Sequence, residues 1–236
     1  MSLKQDFLKL PFEFSIDKLV KDLCLVGLDE WTAHPNKQAY NGIWEITSLS
    51  SPSGDVKDIV AIENQDYIPT KLLERTSYIQ TVLNTFKTKI EAVRFMKLGA
   101  NSIIKEHCDK GSCFEQGYAR LHIPIKSNDN VEFLLSGKNA KMNLGSCYYI
   151  NANNPHSVIN NGDKDRVHLL IDCHVNTWLE EVFIKAGFEK SVYKYKDKSI
   201  TDDNVDDVIA SFKAMGTDIA LKMAKELEEK KNESIN

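Results

Sequence analysis

Tyr118-Ala119-Arg120-Leu121-His122-Ile123-Pro124-Ile125-Lys126 alternates polar and apolar side chains with the two-residue period of a β-strand. Arg120 and His122 fall on one face, and Leu121, Ile123 and Ile125 on the other. A second stretch, Arg166-Val167-His168-Leu169-Leu170-Ile171-Asp172, repeats the arrangement, with Arg166, His168 and Asp172 opposite Val167, Leu169 and Ile171. Each strand presents Arg-x-His on its polar side. In many antiparallel sheets such a face lies in water, so what surrounds the two strands decides whether this one points inward.

Around them, residues 89–173 break into short β-type runs separated by Gly, Asn and Asp, at the spacing of a sandwich or barrel. The runs are residues 92–98, 102–106, 118–126, 131–135, 140–143, 146–151 and 165–173. An earlier strand, 42–49, is closed by Ser50-Ser51-Pro52-Ser53-Gly54-Asp55. Helical spacing of Ile16, Leu19, Val20 and Leu23 predicts a helix capped by Ser15, and another covers 77–86. Beyond Cys173 the period is helical again. One segment spans 177–186, and Val205, Val208, Phe212, Met215 and Ile219 mark another, capped by Thr201 or Asp202. The polar tail 226–236 is expected to fray. The 236 residues are read as one domain, mainly β with flanking helices and a helical extension over about 176–236.

With 42% hydrophobic and 27% charged residues the chain is an ordinary globular protein, and a formal net charge of −4 offers no basic stripe for nucleic acid. The start, Met1-Ser2-Leu3-Lys4-Gln5-Asp6, lacks the apolar core of a secretion signal, and no run is long enough to span a bilayer. The expectation is a cytoplasmic protein without membrane or nucleic-acid partners. Five cysteines (24, 108, 113, 147 and 173) show no C-x-x-C spacing, so reduced thiols are expected.

Of six histidines only His107 has a carboxylate two residues on, in His107-Cys108-Asp109. On a strand, positions i and i+2 share a face, so both side chains can aim into a barrel mouth. His156 follows in Asn153-Asn154-Pro155-His156, and Arg166 lies ten residues further, on the next strand. Two imidazoles and one carboxylate occupy one face of an octahedral ion and leave three positions open, the ligand set of non-heme Fe(II) oxygenases. A guanidinium at Arg166 can pair bidentately with the distal carboxylate of a dicarboxylic acid such as 2-oxoglutarate. H-x-D alone is common in polar loops, and Asn153–His156 alone reads as an exposed turn. It is the order of His107, Asp109, His156 and Arg166 that gives the motifs force.

These residues resemble the aspartyl/asparaginyl β-hydroxylase family of Fe(II)/2-oxoglutarate oxygenases, and within it the bacterial free-amino-acid hydroxylases. The matching stretches are Gly42-Ile43-Trp44-Glu45-Ile46, Arg94-Phe95-Met96-Lys97-Leu98 and Ile103-Ile104-Lys105-Glu106-His107-Cys108-Asp109. The match continues through Arg120-Leu121-His122, Gly145 with Tyr148-Tyr149-Ile150, Pro155-His156-Ser157, and Arg166 to Asp172, covering about residues 40–175. The resemblance implies a double-stranded β-helix, a cupin-like jelly roll, with helices on one sheet. It also implies that His107, Asp109 and His156 hold Fe(II) and that Arg166 anchors 2-oxoglutarate, with O2 as the third reactant. Arg120 and His122 would face the cosubstrate or the substrate carboxylate, and Arg94 and Trp44 would join the substrate wall.

The activity implied is hydroxylation of an unactivated C–H bond of an amino acid or amino-acid-derived small molecule. Peptide side chains and carrier-bound aminoacyl groups are the alternative substrates. A non-catalytic cupin-like module binding a metal or small acid is the alternative of another class, and a Zn or Mn enzyme on the same barrel leaves Arg166 without a task. Substrate identity and oligomeric state are left open by the sequence.

Overall fold

Among the described residues, β-branched and aromatic runs punctuated by Gly and Asn form thirteen strands, and amphipathic segments form the helices around them. The computed structural model describes residues 6–62, 65–189, 197, 199–201 and 203–232. The first strands are β1 (Phe7–Glu13), β2 (Thr32–Ala33), β3 (Tyr40–Asn41), β4 (Trp44–Ser51) and β5 (Ile68–Pro69). They lead into β6 (Ile90–Leu98), β7 (Ser102–His107), β8 (Tyr118–Lys126) and β9 (Val131–Leu135). The last are β10 (Lys138–Asn139), β11 (Ser146–Ile150), β12 (His156–Asn160) and β13 (Arg166–His174). Four helices accompany them: α1 (Ile16–Leu23), α2 (Lys71–Arg75), α3 (Ser77–Leu83) and α4 (Thr177–Lys185).

Every pairing is antiparallel. The larger sheet runs β1-β11-β8-β13-β6-β4-β2, with β5 beside β4, and the smaller runs β10-β9-β12-β7-β3. The chain from β6 to β13 therefore passes back and forth between the sheets, leaving only the β9–β10 hairpin within one. That alternation defines a double-stranded β-helix, the jelly roll.

One face of the larger sheet, with Val93, Phe95, Leu121, Ile123, Leu169 and Ile171, packs on Leu19 and Leu23 of α1, Leu72 and Leu73 of α2, Ile79 and Val82 of α3 and Phe183 of α4. Truncating such a residue to Ala costs about 2–5 kcal/mol. The other face meets the smaller sheet over Trp44, Leu98, Ile104, Phe133, Leu135, Ile150 and Val158. The polar stripe of β8 and β13 lies on this inner side. His122, Arg166, His168 and Asp172 are all buried there, so the face is not a solvated one.

Contacts group the chain into two compact units, Met1–Glu189 and Lys190–Asn236. In the second, α5 (Val205–Met215) and α6 (Asp218–Asn232) pack through Val205, Ile209 and Ala224. Gly216, at φ +66°, ends α5 and breaks the single segment that the apolar spacing through Ile219 suggested. Nor does the tail fray over residues 226–232. It continues α6, where Lys213 and Lys231 pair with Glu228 and Asp206 across the hairpin. Asn204 occupies the N-cap of α5; Thr201 does not, and Asp202 lies outside the described residues. Ser15 sits at the α1 N-cap, but its side chain makes no capping bond. Residues 140–143 form no strand: after Ala140 N donates to Phe133 O, the chain leaves the sheet towards the Gly145 turn. No helix among the described residues is long and apolar enough to cross a membrane.

Candidate active site

His107 closes β7 and His156 opens β12, and the two are register partners in the smaller sheet. Their ring centroids are 4.2 Å apart. Nδ1 of His107 lies 2.8 Å from the Lys105 carbonyl, and Nδ1 of His156 lies 3.0 Å from the Asn154 carbonyl. A carbonyl only accepts, so each Nδ1 carries a proton, which leaves Nε2 as the ring nitrogen a metal would bind. Just past β7 the Asp109 amide donates to Ala152 O (2.8 Å), which sets its carboxylate beside the two rings. Asp109 Oδ1 is 3.7 Å from His107 Nε2. One potential ligand atom from each of His107, Asp109 and His156 lies within 4.8 Å of the others.

Burial holds His156 below the usual imidazole range and so favours its neutral form. Burial alone would raise the Asp109 carboxyl, but the Arg120 guanidinium beside it outweighs burial and keeps the group ionised. The donor types, two imidazole nitrogens and one carboxylate oxygen, suit a divalent ion such as Fe(II).

Arg120 is committed to acids. Its Nη1 donates to Asp109 Oδ2, while Nε and Nη2 fork onto Asp172 at 2.8 and 3.2 Å. Arg94, beside it on β6, donates from Nη2 to Asp172 Oδ2 at 2.6 Å and from Nη1 to the Ile59 carbonyl.

Arg166 differs. It is the first residue of β13, only 4% exposed, and its guanidinium has no carboxylate partner among the described residues. Nη2 donates to His168 Nδ1 (2.9 Å), the carbon of the guanidinium sits 5.7 Å from the Phe133 ring centroid, and the buried Nε has no partner. Burial pulls its pKa down to about 9. A buried cation without a counter-ion is costly, and an incoming carboxylate would supply one. His122 and His168 lie next to it, rings 5.7 Å apart and buried, and both are held well below the usual imidazole range by burial first and by Arg166 second.

On the other side of His107 and Asp109 a cavity of about 650 Å³ opens, walled by Trp44, Arg94, Arg120 and Asp172 and by Tyr67 and Glu91. Trp44 stacks on His34 with centroids 3.7 Å apart. Of the residues singled out in the sequence, His107, Asp109 and His156 come together, Arg94, Arg120 and Trp44 share the cavity wall, and Arg166 and His122 lie inside the barrel. Glu45 is turned away onto Lys97 at 2.6 Å. Asp172 was visible only as a polar residue of the right parity, and His34 and Tyr67 carried no signal because their loops reach the site through tertiary packing alone.

The profile of the family described as aspartyl/asparaginyl beta-hydroxylase matches residues 28–175, well over half of the chain, and the chain belongs to that family. It is an oxygenase, a hydroxylase, and the family implies Fe(II) and 2-oxoglutarate. Among curated proteins, the L-proline cis-4-hydroxylase of Rhizobium meliloti (strain 1021) is 23% identical over 202 residues, covering 84% of this chain and 71% of that protein. Among solved structures, a 2OG-Fe(II) oxygenase family oxidoreductase from Burkholderia pseudomallei gives a TM-score of 0.49 at 13% identity, covering 68% of this chain and 79% of that one. A prolyl-4-hydroxylase from Pseudomonas putida gives 0.45 at 9%, covering 73% and 94%.

Proposed function

We propose that the unit formed by residues 1–189 is an Fe(II)- and 2-oxoglutarate-dependent dioxygenase that hydroxylates an unactivated C–H bond of an amino acid or amino-acid-derived small molecule. One observation supports it most: two imidazoles and an ionised carboxylate converge, and Phe133, whose ring stacks on His156 at 6.2 Å, also carries at 5.7 Å the buried Arg166 guanidinium, which has no carboxylate partner among the described residues. His107, Asp109 and His156 hold the iron in this reading. With O2 and 2-oxoglutarate, the bound metal supplies the oxidising power that turns C–H into C–OH while the cosubstrate becomes succinate and CO2.

The protein's own share is geometric and electrostatic. Arg166 takes the distal carboxylate of 2-oxoglutarate, and His168, accepting from its Nη2, holds the guanidinium in plane. His122 lines the same interior and stays neutral, because burial and the Arg166 guanidinium oppose its protonation. Arg94 and Trp44 give the substrate cavity a cation and an apolar wall. Its amino-acid character is supported by the name of the Rhizobium meliloti relative.

The test is 2-oxoglutarate consumption with Fe(II) and O2 over a panel of free amino acids, with mass spectrometry for one added oxygen atom. Succinate formation stimulated by at least one of them is expected. Stimulation only by peptides or carrier-bound aminoacyl groups would move the substrate class, and no succinate with any of the three would refute the reading.

A further inference from the structure

The Asp172 carboxylate is buried in the wall of the cavity that His107 and Asp109 also line, where it meets two arginines and no proposed ligand or cosubstrate. We propose that Asp172 is a positioning residue: acting through Arg120, it fixes Asp109 so that only Oδ1 is offered to the metal. The inference rests on reading His107, Asp109 and His156 as ligands.

A guanidinium is planar, with its donors in fixed directions. Asp172 takes one edge of Arg120 bidentately, through Nε to Oδ1 at 2.8 Å and Nη2 to Oδ2 at 3.2 Å. With that edge held, the direction of the remaining nitrogen, Nη1, is set, and it donates to Asp109 Oδ2. The other oxygen, Oδ1, is left beside His107 Nε2 at 3.7 Å. An Asp109 free of this clamp could turn or offer both oxygens and close a position that a bidentate cosubstrate needs. Arg94 completes the device by donating 2.6 Å to Asp172 Oδ2, so the carboxylate cannot rotate away from Arg120. Charge alternates along Arg94, Asp172, Arg120 and Asp109, which lets all four be ionised together in a buried wall. Side chains that orient metal ligands typically change metal affinity by about 10–100-fold when replaced.

The experiment titrates Mn(II) into the full-length wild type, Asp172→Asn, Arg120→Lys and Asp109→Ala without cosubstrate, and records the visible spectra of their Co(II) forms. Asp172→Asn keeps the shape but loses the charge, and Arg120→Lys keeps the charge but cannot fork. Both are expected to weaken Mn(II) binding by roughly 10–100-fold, with cooperative unfolding retained and an altered Co(II) spectrum. A purely structural Asp172 would leave affinity and spectrum as in the wild type. That result, alongside lost affinity in Asp109→Ala, overturns the positioning role while the ligand reading stands. Wild-type affinity in Asp109→Ala overturns the ligand reading and this inference together. Should Asp172→Asn fail to fold, Arg120→Lys decides on the same criteria.

Discussion

His107 and His156 face one another as cross-strand partners of β7 and β12, with ring centroids 4.2 Å apart and each Nδ1 tied to a carbonyl two residues earlier in its own chain segment. Strand register brings the imidazoles together, and the two local hydrogen bonds choose the tautomer. Both features come from the backbone around the two rings, which fixes their positions and orientations.

Replacing His156 by Ala should therefore abolish metal binding rather than merely slow turnover. The loss should exceed the roughly 10–100-fold that removal of a supporting residue costs. Metal content after Fe(II) loading, measured beside the far-UV circular dichroism of the variant, checks this. Full metal content in a folded His156→Ala protein contradicts it.

Arg166 is expected to matter for the cosubstrate and little for the fold. A charge-assisted hydrogen bond contributes about 1.5–3 kcal/mol, so Arg166→Met should raise the KM for 2-oxoglutarate by roughly 10–100-fold. Because the wild-type guanidinium is buried with no carboxylate partner among the described residues, thermal stability without ligand should hold or rise. Steady-state kinetics and a melting curve with and without 2-oxoglutarate separate the two effects. An unchanged KM would remove Arg166 from the site.

Acid should destabilise the barrel through His122 and His168. Both have folded-state pKa values well below the ordinary value of about 6.5, so between the two the unfolded chain binds more protons. Stability is then full above about pH 6.5 and is lost as pH falls towards the folded values, by up to about 1.4 kcal/mol per pH unit for each group. Denaturant melts from pH 7.5 to 5 check the slope. His168→Asn should make it shallower, and an unaltered slope would exclude His168 as a contributor.

Much of the barrel was legible because β6, β8, β9, β11 and β13 carry unbroken β-type runs within two residues of the expected bounds. β12 escaped because Asn153-Asn154-Pro155 reads as a turn, and the five residues His156–Asn160 form a strand only where β7 and β9 flank them. β1 escaped because Pro11 interrupts it, which an edge strand tolerates; Pro11 has no register partner on β11. His107, Asp109 and His156, which their order along the chain singled out, do lie together. The Arg94–Asp172–Arg120–Asp109 alternation could not be read from that order, since it joins three strands and a loop, and no local pattern records which arginine meets which acid.

Asn160 shows how the fold holds Arg166 in place. Fully buried, it donates to the carbonyls of Leu98, Gly99 and Lys164 and accepts from Gly162 N and Asn128 Nδ2. It thus ties the turn before β13 to the turn after β6. Asn160→Ala leaves these buried groups unpaired and should cost about 2–4 kcal/mol, measured by urea unfolding. A change below about 0.5 kcal/mol, the usual effect of a surface substitution, would show that the turn is held by other means.

The most direct measurement is an anaerobic titration of the Fe(II)-loaded protein with 2-oxoglutarate, followed in the visible range. Chelation of the cosubstrate at the iron gives a weak charge-transfer band. The band should appear in the wild type and saturate at one cosubstrate per chain, be absent in His156→Ala, and appear only at much higher 2-oxoglutarate in Arg166→Met. A wild type that binds Fe(II) yet shows no band, or a His156→Ala protein that shows it undiminished, would contradict the central claim.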